Sequence, residues 1–405
     1  MTDKQKRRRE EIIETAFRVW SESSFKKTSL SAVATRMGIS KTALYRYFSG
    51  KEALLQAMEE YFLRLYNHLC DEVIRHRDER SVAEALEAYN RIFVGFFARN
   101  SHYLRFAQIR FIRKPQVGDS FLAMTFRRNM DLFPAEPLAR EFGWRMAQIP
   151  VIVRYILSVS NFLLAVEHCG NEEIAGGAES LLEVNRRLII SGISLNRDRQ
   201  IPDFQMIEER CILSEGDFPE TDRVTYAVSE VVAENGLWNT TVEKIAHRLG
   251  MSKSSLYFYF ENRDEMLWKL IEQERQAFGA LVIRDIEPME SFSDQLYAYF
   301  VLHARYLWGR PEFLATMNWY RFQDIAFHPP EDPISSVIRF YRFVEEAVEA
   351  GVMSEKVPLL SFLRLLNFLL MQELSEHFRR GNDFNQLFPI LRTLHQLLLY
   401  GVQGA

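Results

Sequence analysis

Apolar residues recur at three- and four-residue spacing along almost the whole chain, the period of helices that bury one face. Between Glu10 and Glu22 the stripe is Ile12, Ile13, Ala16, Phe17, Val19 and Trp20. A second stripe, Leu30, Val33, Ala34 and Met37, starts after Thr28 and Ser29 and stops at Gly38. A third, Leu44 and Phe48, starts after Ser40. Hydroxyl side chains cap helix starts, and glycine tolerates the left-handed conformation that ends them. The pattern therefore predicts helices over 10–22, 28–37 and 41–48, the last two joined by a three-residue turn containing glycine. That is a helix-turn-helix. The same period predicts helices at 51–76, 81–99, 101–113, 118–132, 149–168 and 178–194. Residues 1–9, with Lys4, Lys6, Arg7, Arg8 and Arg9, read as a basic arm ahead of the first helix.

The pattern then starts again. Thr28–Leu55 and Thr240–Leu267 align without a gap at an offset of 212, with 11 identities in 28 positions. A repeat of this kind is sought before any fold is assigned. Farther along, Asn161-Phe-Leu-Leu recurs as Asn367-Phe-Leu-Leu (offset 206), and Gly192 matches Gly401 (offset 209). Helices are predicted in the second half at 203–213, 223–235, 240–249, 253–260, 264–284, 290–308, 310–326, 333–351, 357–379 and 384–401. The fold class is all-α: two like subunits in one chain, packed as an intramolecular pseudo-dimer. The domain plan is 1–50, a first helix-turn-helix; 51–200, a first helical regulatory domain; 201–219, a linker; 220–262, a second helix-turn-helix; and 263–405, a second regulatory domain. Asn161 and Asn367 are expected either to face each other and fix register, as a buried Asn does in coiled coils, or to bond locally.

The short third helix carries the chemistry. Leu44 and Phe48 anchor it, which leaves Lys41, Thr42, Ala43, Tyr45 and Arg46 outward. A recognition helix presents its N-terminal residues to the major groove. Lysine and arginine suit guanine O6 and N7, and Thr and Ala methyls suit the thymine methyl. Tyr47 and Lys51 lie where a hydroxyl and an ammonium hold phosphates. Thr28, Ser31 and Ser40, at helix starts, complete the expected contact set. In the second copy the set is Thr240, Lys253, Ser254, Ser255, Tyr257, Phe258, Tyr259 and Arg263. Arg46 is replaced by Phe258 and Ser31 by Glu243. Residues 1–51 hold 12 Lys/Arg and 5 Asp/Glu (12 − 5, about +7), whereas 213–263 hold 5 and 8 (5 − 8, about −3). The two heads are therefore expected to read unlike half-sites, or the second to bind more weakly.

The run from Ile12 to Leu55 resembles the DNA-binding domain of the tetracycline-repressor (TetR) family, through Ala34, Gly38, Ser40, Leu44, Tyr45, Tyr47, Phe48, Lys51, Glu52 and Leu54. The resemblance covers about 45 residues of each half. It implies a helical subunit of about 200 residues with three DNA-binding helices, a fourth connecting helix, and a regulatory domain whose last two helices form a four-helix dimer interface. It also implies a double-stranded DNA operator, usually palindromic, and repression lifted by a small-molecule effector. The covalent joining of two copies departs from that plan. An alternative reading leaves only the first head on DNA, with the second half a ligand- or protein-binding module.

Composition narrows the remainder. Aromatics are plentiful, with 31 Phe, 16 Tyr and 6 Trp. Phe93, Phe97, Phe106, Phe111, Trp319 and Phe322 read as core, or as walls of a cavity for an apolar or aromatic effector. Arg110, Arg113, Lys114, Arg127 and Arg128 read as a solvated face. Cys70, Cys169 and Cys211 show no metal-ligand spacing, which suits a reducing cytoplasm. The apolar run Ile149–Val166 contains Arg154, Ser158, Ser160 and Asn161, so it reads as a buried bundle helix rather than a membrane span. The N-terminus has no apolar core behind its charges and is not expected to be a signal peptide. No phosphate-loop, zinc or hydrolase motif is present, and Glu373/His377, four apart, read as a solvated helix face. No catalytic residue, metal or cofactor is expected, and the chain is not expected to be an enzyme.

Overall fold

A computed structural model describes residues 2–22, 29–76, 81–107, 110, 128–169, 177–195, 201–219, 223–235, 240–257, 263–320, 340–353 and 359–404. Among these the secondary structure is helical, with one isolated bridge between Ser194 and Met353 and no strand. The chain forms two compact units: Met1–Glu141 with Leu163–Arg186, and Phe142–Phe162 with Arg187–Ala405.

The first unit opens with α1 (Asp3–Glu22), α2 (Leu30–Arg36), α3 (Lys41–Tyr45) and the long α4 (Lys51–His76). The basic arm is not a separate extension. Lys4–Arg9 belong to α1, where Arg8 and Glu11 pair at 2.7 Å and Arg9 lies 4.9 Å from the Phe48 ring centroid. Opposite charges one helical turn apart favour the helix here over a free tail. Then follow α5 (Val82–Ala88), a π-helical turn (Tyr89–Val94), α6 (Gly95–Arg99) and α7 (Ser101–Ala107), so the helix expected over 81–99 has a widened middle. An α8 (Ala135–Phe142) that the pattern did not predict comes next. The helix expected at 118–132 lies mostly outside the described residues.

Aromatic packing joins the reading head to the body of this unit. Phe17 of α1 meets Tyr103 and Phe106 of α7 edge-on at 4.7 and 4.9 Å, and Tyr61 of α4 donates to Glu14 at 2.9 Å. Phe106, a candidate cavity wall, therefore packs on the head. Phe93 and Phe97 are buried among Tyr66, Tyr89 and Phe62. The expected solvated arginines differ too. Arg110 pairs with Glu59 and is nearly buried, and Arg128 pairs with Asp71. Arg113, Lys114 and Arg127 lie outside the described residues.

The second unit combines segments from both sides of the linker. Its elements are α9 (Ile149–Cys169, up to Phe162), α10 (Gly177–Ile190, from Arg187), α11 (Phe204–Arg210), α12 (Arg223–Asn235), α13 (Val242–Leu249), α14 (Lys253–Tyr257), α15 (Arg263–Asp285), α16 (Phe292–Trp308), α17 (Pro311–Tyr320), α18 (Arg342–Glu349), α19 (Leu359–Arg379) and α20 (Phe388–Tyr400). The linker is built in. Glu208 of α11 accepts from Arg392 at 2.8 and 2.7 Å and from the Tyr297 hydroxyl, and it is largely buried. Phe204 packs edge-on against Tyr297 at 4.6 Å. Glu208 is the buried member and Arg392 is partly exposed, so it is removal of the arginine that would leave a buried carboxylate without its ion partner.

Two crossings in this unit are reciprocal. The backbone NH groups of Ile193 and Ser194 donate to Leu398 and Leu399, both at 2.9 Å, while those of Val402 and Gln403 donate to Ile189 and Ile190 at 2.8 and 3.2 Å. Adding 209 to any first-half residue of this set gives its second-half counterpart. Gly192 (φ +70°) and Gly401 (φ +66°) allow the approach: a Cβ on Gly192 would fall on the Leu399 carbonyl, and one on Gly401 on the Ile190 carbonyl. The second crossing is Phe162 against Phe368, ring centroids 5.8 Å apart, a residue meeting its own repeat at offset 206.

The asparagine beside each phenylalanine does not form that contact. Asn161 is exposed, and Asn367 donates to Leu363 at 2.9 Å and accepts from Tyr299 at 3.2 Å. Of the two expectations for Asn367, the local one is what the structure contains. Nearby, Arg154 forks onto Glu373 with both bonds at 2.7 Å, and Glu373 is 3% exposed. Glu373 and His377 are therefore not a solvated face: His377 is buried and bonds the Asp383 carbonyl at 2.8 Å. Met146–Ala165 is long and apolar enough to cross a membrane, and two-thirds of it is buried against protein.

Gly401→Ala should cost roughly 2–4 kcal/mol, since it adds both backbone strain and a carbonyl clash that no side-chain rotation relieves. Chemical denaturation would measure the loss; a change under about 0.5 kcal/mol would contradict the close crossing.

Candidate nucleic-acid interface

Each helix-turn-helix is fixed by the same three local devices. In the first, the Ser29 hydroxyl accepts from Ala32 N at 3.2 Å, Gly38 turns the chain at φ +65°, and the Ser40 hydroxyl accepts from Ala43 N at 3.1 Å. In the second, Thr241 accepts from Lys244 N at 3.3 Å, Gly250 turns at φ +65°, and Ser252 accepts from Ser255 N at 3.0 Å. Leu44 and Leu256, one turn into the recognition helices, are fully buried and pin them to their heads. The first recognition helix, Lys41–Tyr45, is shorter than the pattern predicts; the second is described over Lys253–Tyr257.

The first outward set lies where the pattern puts it. Ser31, Ser40, Lys41, Thr42, Tyr45 and Arg46 are exposed, while Ala43, Tyr47 and Lys51 are half-buried. Tyr45 is open to solvent rather than a core aromatic. The Lys41 ammonium stands 5.9 Å from the Tyr45 ring centroid and that of Lys51 the same distance from the Trp20 ring. In the second head Lys253, Ser254, Ser255 and Tyr257 are exposed, and Lys253 stands 5.7 Å from the Tyr257 ring. Thr240 is buried and Thr241 is the cap, so Thr240 does not belong to the surface set. Thr28, Phe111, Phe258, Tyr259 and Phe322, with the side chains of Arg263 and Trp319, lie outside what is described.

The electrostatics of the heads diverge. Lys253 is ion-paired with Glu243 across the turn; this hydrogen bond holds the Glu243 carboxyl below its ordinary range and raises the Lys253 ammonium above its own. Arg248 bridges Glu234 and Glu230, the latter at 3.0 Å, and Arg223 donates to the Leu249 carbonyl at 2.9 Å. In the first head Ser31 stands where Glu243 stands, so the counterpart of that carboxylate is missing beside Lys41. The substitution of Ser31 by Glu243 was visible in the repeat, but its ten-residue separation from Lys253 hid the pairing until the turn closed it.

Residues 12–58 and 227–269 each match the family model described as bacterial regulatory proteins, tetR family. A fatty acid metabolism regulator protein of Bacillus subtilis is 29% identical over 91 residues, 22% of this chain and 47% of that protein. The chain thus spans about half the length of that relative. An uncharacterized HTH-type transcriptional regulator of Haemophilus influenzae is 24% identical over 154 residues, 37% of this chain and 75% of the relative. Among solved structures, a fatty acid degradation regulator, FadR, from Bacillus halodurans is 19% identical, with a TM-score of 0.35 and coverage of 46% of this chain and 98% of that one.

Ser40→Ala should remove about 1 kcal/mol of cap stability, so amide hydrogens of α3 should exchange roughly fivefold faster, and Ser252→Ala should do the same in α14. Exchange unchanged in both variants would show that the caps do not hold the recognition helices. With two matched heads built on one plan, the chain carries the tetR-family DNA-binding domain twice.

Proposed function

We propose that the protein is a sequence-specific DNA-binding transcriptional regulator in which the two heads of one chain bind one operator. The observation that carries this reading is the second head itself. It keeps the Thr241 and Ser252 caps, the Gly250 turn, the buried Leu256 anchor and an exposed Lys253–Tyr257 face. A half that served only as a ligand- or protein-binding module would have no need of a capped and anchored start to a recognition helix. The reciprocal bonds around Gly192 and Gly401 support a pseudo-dimer made within the chain, since a two-fold interface is one in which residue i meets j and j meets i. On DNA, two heads must enter successive major grooves, about 34–36 Å apart, to share one face of the duplex.

Regulation in this reading is repression, lifted by a small apolar or aromatic effector. The support is the aromatic interior that contacts the first head: Phe17 of α1 packs on Tyr103 and Phe106, so a shift of α7 moves α1. An effector changes DNA binding only as far as it prefers one of the two arrangements. The unequal charge of the heads, about +7 against −3, supports unlike half-sites.

Salt dependence separates the two-headed reading from binding by the first head alone. Lys51→Ala and Arg263→Ala should each lower affinity for a selected operator and reduce the slope of log K against log salt by about 1. A normal slope for Arg263→Ala beside a reduced one for Lys51→Ala would mean that only the first head touches DNA.

A further inference from the structure

We propose that Glu243 and Lys253 act together as a preformed reader of one C·G base pair in the second half-site; this rests on the second head contacting DNA. Glu243 is the second residue of α13 and Lys253 the first of α14. The Gly250 turn brings them together as an ion pair whose side chains remain 58% and 49% exposed, on the outward face with Ser254, Ser255 and Tyr257. The pair is held from both sides. Thr241 caps the start of the helix that carries Glu243, and the Tyr257 ring lies 5.7 Å from the Lys253 ammonium.

A phosphate does not suit such a pair. Docking Lys253 on a phosphate oxygen presses the Glu243 carboxylate against the same negative charge, in the head that already carries the acidic excess. A base edge can accept both groups without separating them. In the major groove, guanine offers the acceptors N7 and O6 side by side, and its partner cytosine offers the N4 donor next to them. A cation beside an anion matches that order: Lys253 donates to guanine while Glu243 accepts from cytosine N4. An A·T pair also sets an acceptor, N7 or O4, next to its N6 donor, but it gives the ammonium one acceptor in place of guanine's two and adds the thymine methyl at the edge, so it seats the pair less well. The first head, with Ser31 beside Lys41, has no carboxylate to place on cytosine N4. The two half-sites should therefore differ at this position.

Glu243→Ser gives the second head the residue that the first head carries in the same fold, so the variant is expected to remain folded, and far-UV circular dichroism checks this. The full-length wild-type protein and the variant are each used to select bound duplexes from a random pool. The wild type should prefer C·G over A·T at one position of the second half-site. The variant should lose that preference by about tenfold or more, with all other positions and the first half-site unchanged. Tighter binding to every sequence, with unaltered base preferences, would overturn the inference and leave the two-headed reading standing, because Glu243 would then act only by repulsion. A single half-site in both selections would overturn the two-headed reading and this inference with it.

Discussion

Four backbone hydrogen bonds, exchanged between Ile189–Ser194 and Leu398–Gln403, are the constraint on which the arrangement depends. Main-chain groups cannot be supplied by a different rotamer, so the two chain segments must come within bonding distance of each other. Only residues without a Cβ permit that, and Gly192 and Gly401 stand at the two points of contact. The remainder of the crossing is arranged around this approach. Trp144 donates to the Val402 carbonyl at 2.7 Å, Gln148 to the Thr393 hydroxyl at 3.1 Å, and Arg154 forks onto buried Glu373. The ion pair contributes little net stability, since its attraction largely offsets the cost of burying two charges. It is also one-sided: at offset 206, Arg154 corresponds to Leu360. A covalent pair of unlike halves can accept such asymmetry, which a homodimer would have to repeat.

The heads show the same division between shared scaffold and divergent surface. Caps, turn and leucine anchor are duplicated because they determine whether a recognition helix forms at all. The surface is where the copies part, through Glu243 for Ser31 and the acids around Arg248. Duplication within one chain removes the requirement that both heads be identical, and the charge difference shows how far they have drifted. A linker that docks through Glu208 and Phe204 ties the start of the second half to α16 and α20.

Much of this was legible in the residues. Helical period, caps and glycines located nearly every helix of the heads, because these signals are local. The offset of 209 between Gly192 and Gly401 was legible as well, although not its meaning: only the backbone approach explains why both are glycine. At the other crossing the residues left two readings open, Asn161 and Asn367 facing each other or bonding locally, and the local one holds for Asn367. Asn161 attracted notice as a polar residue in an apolar run, yet one residue along a helix is a rotation of about 100°, and it is Phe162 that faces its repeat. Pairings between distant residues, such as Arg154–Glu373 and Glu208–Arg392, left no periodic trace. The basic arm was misjudged because its charges drew attention away from the acids Asp3 and Glu11 that pair with it in a helix.

The central claim is that one chain closes on itself as the binding unit. Light scattering of the full-length protein at micromolar concentration, alone and with its selected operator, tests this most directly. The account predicts the mass of a single 47.6 kDa chain in solution and one chain per operator in the complex. An obligate dimer of chains without DNA, or two chains on each operator, would contradict it.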